Sequence, residues 1–261
     1  METAAYLHRI GIRIVARPTI DFLRMLHRRH LLSVPFESLD IYLGRSILLD
    51  QRSFYKKIVE EGRGGYCYEL NGSFSWLLRR LGFKVSMLSA RVARSDGGYN
   101  PEFDHMTLLV QLRERWLVDV GFGDSFTEPL RLDTEAPQRD SGRQYRIVGK
   151  SQRRTLQRWD PDNGSWKPQY SFSLRNRKLS DFAARNHYQQ TSPRSHFTHG
   201  PMVSTLTSKG RITLTGKKLV VTRGRRRVER RVRNKNEFER LLAKHFRIRF
   251  GPDSRLHLRR S

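Results

Sequence analysis

The sequence predicts an α+β protein with a helical N-terminal third, an antiparallel β middle and a mixed C-terminal segment. Three observations predict it. Apolar residues recur at three- and four-residue spacing up to about residue 81, as on the buried face of helices. From residue 84 they alternate instead, with turn residues between the runs. After residue 179 come a helical run, several short strands and a last helical pattern. These changes of texture divide the 261 residues into 1–85, 86–178 and 179–261, with no internal repeat and no low-complexity linker.

Residues 1–31 read as helical, and Thr19 is placed to cap a helix carrying Ile20, Phe22, Leu23, Leu26 and His30. A Pro-containing loop at Val34-Pro35-Phe36 follows, then the short apolar run Ile41-Tyr42-Leu43. A second helix fits residues 50–61, with Asp50 or Ser53 as its cap. The third follows Gly64-Gly65 and carries Phe74, Trp76, Leu77, Leu78 and Leu81, ending at Gly82. Strands are expected at 84–92 and 105–112, with a turn at Arg113-Glu114-Arg115 and a return at 116–120. Three more are expected at 145–148, 155–159 and 169–174, Asp162-Asn163-Gly164 being a turn. Residues 179–190 read as a helix with Ser180 as a candidate cap. Short strands follow at 203–206, 211–215 and 219–222, then a helix through Phe238, Leu241, Leu242 and Phe246, and a frayed basic end from residue 251.

The N-terminus lacks the apolar core of a signal peptide, and no run of about 18 apolar residues occurs. One cysteine permits no internal disulfide, so a cytoplasmic, reducing setting is expected. Charge is lopsided: 51 Lys and Arg against 25 Asp and Glu. Much of the excess lies beyond residue 209, above all in Arg223, Arg225, Arg226, Arg227, Arg230, Arg231 and Arg233. Such a stripe either meets phosphates or lies on a solvated edge strand alternating with Val228 and Val232, and the second is the reading we favour. Nucleic-acid binding is disfavoured, because residues 217–235 offer no aromatic side chain for base stacking.

The lone cysteine, Cys67, stands where the third helix begins. There the helix dipole and free N–H groups favour a thiolate, although an isolated cysteine is most often a small buried hydrophobe. A cysteine nucleophile needs a base, and a base works best when a carboxylate orients it. His105 opens the first strand of the hairpin, and Asp119 lies in the apolar run Leu117-Val118-Asp119-Val120, where a carboxylate is expensive without a partner. A tight Arg113–Arg115 turn sets Leu108 opposite Asp119. His105 is then roughly 10 Å along the strand, and contact needs a bulge, a bend or a different turn.

Five segments resemble the signatures of the arylamine N-acetyltransferases, in the same order: Val34-Pro35-Phe36-Glu37-Ser38-Leu39, Arg63-Gly64-Gly65-Tyr66-Cys67-Tyr68-Glu69-Leu70-Asn71, His105-Met106-Thr107-Leu108-Leu109-Val110, Val118-Asp119-Val120-Gly121-Phe122-Gly123 and Ser192-Pro193-Arg194-Ser195-His196-Phe197. The resemblance implies an N-terminal helical bundle, a central antiparallel β-barrel and a C-terminal α/β lid. It implies a papain-like triad of Cys67, His105 and Asp119. It also implies ping-pong transfer of acetyl from acetyl-CoA through Cys67 to an arylamine or hydrazine, without a metal. By family position Phe36, Phe122 and Phe197 would line the acceptor pocket, and the Gly121-Phe122-Gly123 turn would meet CoA. Arg63 is expected to be structural. An amide synthase or a thioester hydrolase would need the same three residues. A basic nucleic-acid-binding protein is the remote alternative.

Overall fold

The computed structural model describes residues 1–224, 226–251 and 256. Arg225 of the basic stripe and the rest of the expected frayed end lie outside the described residues. The helical stretch of residues 1–31 is two helices, α1 (Thr3–Arg9) and α2 (Ile20–Ser33). Thr19 caps α2 as expected, accepting a hydrogen bond from the Phe22 backbone N–H at 3.3 Å. The Pro35 loop runs directly into a two-residue strand, β1 (Phe36–Glu37), too short to show alternation in sequence. The one-turn helix α3 (Leu39–Tyr42) follows. Asp50 caps α4 (Gln51–Tyr55) through the Ser53 N–H at 2.8 Å, and a π-helical turn at Lys56–Glu60 continues it. The Cys67 helix is α5 (Cys67–Arg80).

Eight antiparallel strands form the middle: β2 (Lys84–Val92), β3 (His105–Gln111), β4 (Arg115–Val118), β5 (Leu130–Arg131), β6 (Gln138–Asp140), β7 (Arg143–Val148), β8 (Arg153–Asp160) and β9 (Ser165–Arg177). Their order is β5-β4-β3-β2-β9-β8-β7-β6, a nearly closed barrel. Alternation along β3 divides its side chains between two cores. Met106, Leu108 and Val110 pack into the core shared with the helices, whereas Leu109 packs with Leu117, Tyr145, Leu156, Tyr170 and Phe172 inside the barrel.

The expected helix at 179–190 begins as a 3₁₀ turn at Leu179–Phe182 and becomes α6 (Ala183–Thr191). Ser180 does not cap it; the Asp181 carboxylate instead accepts from the Lys178 N–H at 3.0 Å, because the 3₁₀ turn already begins at Leu179, which places Ser180 inside it. Beyond a 3₁₀ turn at His196–Thr198 come β10 (Met202–Thr207), β11 (Gly210–Thr215), β12 (Lys218–Arg223), β13 (Arg226–Arg231) and α7 (Lys235–Phe246). β1 pairs with β10 to make a five-stranded sheet, β1-β10-β11-β12-β13, against which Phe238, Leu241, Leu242 and Phe246 of α7 pack. β13 is the outer edge and is exposed at every position, so its arginines form a solvated edge strand. Among the described residues no helix is long and apolar enough to cross a membrane.

Candidate active site

A buried ion cluster fixes the start of α5. Arg63 binds the carboxylates of Glu37 at 2.6 Å and Asp40 at 2.8 Å, and Lys57 binds Asp40 at 2.7 Å and Glu69 at 2.8 Å. Glu69, in the first turn, accepts the Tyr66 backbone N–H at 3.0 Å. Burial, with the neighbouring carboxylates of Glu37 and Asp40, outweighs Lys57 and pushes the Glu69 carboxyl up to about 7. Arg63 lies in this cluster, tying β1 and α3 to the loop before Cys67.

Cys67 is 4% exposed. Burial pushes its thiol up, and Asp104 and Asp119 add to the shift, against the opposing backbone N–H groups of Met106 and Tyr68. Burial thus opposes what the helix start favours. A thiolate here requires a proton acceptor in the same cavity.

A candidate acceptor, His105, is positioned by the β3–β4 hairpin. Leu108 pairs with Val118 and Gln111 with Arg115, so the connection is residues 112–114, and Arg115 belongs to the strand rather than the turn. This register brings Thr107, not Leu108, abreast of Asp119. His105 is then two residues away on the same face, within diagonal reach, whereas the tighter turn would have left it on the opposite face. His105 Nε2 lies 2.7 Å from Asp119 Oδ2. The buried carboxylate is an acceptor, so Nε2 carries the proton and Nδ1 is left with a free lone pair. Asp119 accepts three further hydrogen bonds: Tyr170 Oη donates to Oδ2 at 2.9 Å, and Asn71 Nδ2 and the Gly121 N–H each donate to Oδ1 at 2.9 Å. Burial raises its pKa, but His105, Asn71 and Gly121 outweigh that and hold the carboxyl below its usual range.

Asn71 stands one helical turn after Cys67, on the same face of α5. Its amide also donates to Met106 O at 2.7 Å and accepts from the Val120 N–H at 3.0 Å. One side chain thus clamps the helix that begins at Cys67 to β3 and to the segment that follows β4. His27 supports Asp119 from behind, with Nε2 3.1 Å from the Asp119 carbonyl oxygen and Nδ1 2.9 Å from that of Thr127. The i+4 spacing announces Asn71 in the sequence. Nothing comparable announces Tyr170 or His27, which are 51 and 92 residues from Asp119.

A cavity of about 420 Å³ opens over this group, and Cys67, His105, Phe36, Phe122 and Phe197 all line it. Phe122 stands edge-on to the His105 ring, with centroids 5.2 Å apart. Gly121 and Gly123 line the cavity for different reasons. A Cβ on Gly121 would lie 2.7 Å from Asn71 Nδ2 and 2.9 Å from Cys67 Cα, so this glycine lets the β4 loop pass against the helix start. Gly123 has φ +88°, which glycine adopts without strain.

Two outcomes follow from this packing. Gly121→Ala drives the loop off α5, and we expect both a lower unfolding temperature and a loss of turnover of about 10²-fold, the cost of a displacement near 1 Å. Unchanged melting and kinetics would contradict the close approach. Tyr170→Phe removes one of four donors to Asp119 and leaves three. We expect turnover to fall by about 10-fold, one neutral-to-charged hydrogen bond, with the fold retained; steady-state kinetics with circular dichroism checks this.

The family model for N-acetyltransferases matches residues 19–254. The chain is 37% identical over 214 residues to the arylamine N-acetyltransferase / N-hydroxyarylamine O-acetyltransferase of Salmonella typhimurium, covering 81% of this chain and 75% of that enzyme. The solved structure of the Salmonella typhimurium arylamine N-acetyltransferase superposes with a TM-score of 0.88 at 34% identity, over 94% of this chain and 90% of that one. The Mycobacterium marinum arylamine N-acetyltransferase in complex with CoA superposes with a TM-score of 0.87 at 31% identity, over 95% and 93%.

Proposed function

This chain belongs to the arylamine N-acetyltransferase family and is an acyltransferase with that activity; on that premise we propose that Cys67, His105 and Asp119 are its catalytic triad and that acetyl-CoA is its donor. The observation that carries the proposal is the single buried network in which Asn71 bonds Asp119 and Asp119 bonds His105, beside a cavity that His105 and Cys67 both line. The helical segment 1–85 supplies the nucleophile, the barrel segment 86–178 supplies the base and its carboxylate, and segment 179–261 closes over them as an α/β lid.

In the first half-reaction the Cys67 proton moves to His105 Nδ1, and the imidazolium so formed is held by Asp119 through Nε2–H. The thiolate attacks the thioester carbonyl of acetyl-CoA, with the Cys67 backbone N–H as candidate donor to the tetrahedral oxygen. The C–S bond to CoA breaks, and the His105 proton leaves on the CoA sulfur. In the second half-reaction an arylamine or hydrazine attacks acetyl-Cys67 while His105 takes the amine proton. The amide departs and the proton returns to sulfur. Phe36, Phe122 and Phe197 form the flat apolar wall for the aromatic acceptor, and the Gly121-Phe122-Gly123 turn borders the donor.

Intact-protein mass spectrometry after mixing with acetyl-CoA and no acceptor tests this reading. One added acetyl group, discharged by an arylamine, is expected. A reactive thiol that gains no acetyl group would point instead to another acyl donor and to amide synthesis or hydrolysis.

A further inference from the structure

We propose that the arginines gathered around Asp124 bind the phosphates of the acyl donor, with Asp124 as an internal anion that those phosphates displace; this rests on the reading that the donor is a CoA thioester. Asp124 follows the Gly121-Phe122-Gly123 turn and lines the Cys67 cavity. Its Oδ1 accepts from Arg143 Nη1 at 2.8 Å and from Arg211 Nε at 3.1 Å, and Arg158 Nη1 stands 3.7 Å from Oδ2. Three guanidinium groups from two different sheets therefore share one carboxylate, a surplus of two positive charges. Arg211 has a side chain only 13% exposed, and a poorly hydrated cation surplus favours an anionic ligand.

Two further observations point the same way. A second cavity, of about 380 Å³, is lined by Asp124, Arg143 and Arg211 and by Asp140, whose carboxylate is taken up by the Thr127 N–H and hydroxyl; Asp124 is the residue it shares with the Cys67 cavity. Ser125 also lines it, and its buried Oγ has no hydrogen-bond partner among the described residues. Arg28 and Lys209 are exposed around the same cavity. The site thus offers fork-shaped donors, an unused hydroxyl and room beside the nucleophile's cavity, which suits a phosphate or pyrophosphate. Arg226, Arg227, Arg230 and Arg231 of β13 line neither cavity, so they have the charge without the enclosure.

The test is calorimetric titration of CoA and dephospho-CoA into the wild type, Arg211→Gln and Asp124→Asn. In parallel, Cys67 acetylation by S-acetylpantetheine, which carries no phosphate, is timed. Arg211→Gln should weaken CoA binding by about 10-fold, one charge-assisted contact, and leave loading from S-acetylpantetheine unchanged. Asp124→Asn should tighten CoA binding and steepen its salt dependence, because the internal competitor is gone. Dephospho-CoA separates the sources: equal affinity assigns the cluster to the pyrophosphate, weaker affinity to the 3′-phosphate. If Arg211→Gln does not fold, Asp124→Asn and the surface variant Arg28→Ala/Lys209→Ala carry the test.

CoA affinity unchanged in these variants overturns the inference. So does a parallel loss with S-acetylpantetheine, which would make the arginines structural. An intact CoA affinity with a raised KM for 4-aminobenzoate, but not for an uncharged arylamine, would assign the cluster to an acceptor carboxylate and also overturn it. Wild type that takes no acetyl group from acetyl-CoA sinks the donor reading itself, an outcome distinct from all of these.

Discussion

Asp119→Asn is expected to lower acetyl transfer by about 10³- to 10⁴-fold, the scale on which a catalytic histidine loses its orienting carboxylate. The geometry gives the reason. Oδ1 accepts from Asn71 and Gly121, and Oδ2 accepts from His105 and Tyr170. A carboxamide must turn its NH₂ toward one of these pairs. Asn71 Nδ2, whose amide oxygen is held by the Val120 N–H, and the Gly121 N–H can only donate, so the NH₂ takes the Oδ2 position. There Tyr170 can rotate its hydroxyl and accept. His105 must also accept through Nε2, which moves its proton to Nδ1, the nitrogen needed to deprotonate Cys67. The variant should fold, with a stability loss of about 1–3 kcal/mol for the strained polar contacts. Rapid-mix loading with acetyl-CoA and thermal denaturation separate the two effects. Wild-type loading in a folded Asp119→Asn protein would remove Asp119 from the triad.

Cys67→Ser should be the most damaging substitution, with transfer reduced on the order of 10⁴- to 10⁶-fold, the range for loss of a nucleophile in a cooperating set. Burial already pushes the thiol up. An alcohol starts several units higher, and the same desolvation opposes its ionisation further. No acetylated form should appear by intact mass with either Cys67→Ser or Cys67→Ala. Because Cys67 is a small side chain in a well-packed site, both variants should keep the wild-type fold and should still bind CoA. Acetylation of the Ala variant at another residue would show that the adduct does not report the nucleophile.

Much of the fold was legible because its signals are local. The three- and four-residue spacing at Phe22, Leu23 and Leu26, the caps at Thr19 and Asp50, and the alternation through residues 84–92 each depend on residues a few positions apart. The family was legible for a related reason: its signatures are contiguous strings, those around Cys67, His105 and Asp119 among them. β1 escaped because two residues show no period, and Ser180 was a wrong cap because the 3₁₀ turn already begins at Leu179.

The sequence by itself determined the α+β division, the placement of Cys67 at a helix start and the candidate chemistry. Only the tertiary structure decided whether the candidates meet. A connection over residues 112–114, with Arg115 already in β4, sets Thr107 rather than Leu108 abreast of Asp119, and that one residue is the difference between opposite faces and a 2.7 Å hydrogen bond. Burial pushes the Cys67 thiol up, a shift the helix start does not announce, because desolvation depends on every element packed around it. Tyr170, His27 and the arginines about Asp124 reach the site from distant strands and helices. Their roles come from closing the barrel and laying the second sheet beside it, and no local period in the chain encodes those distances.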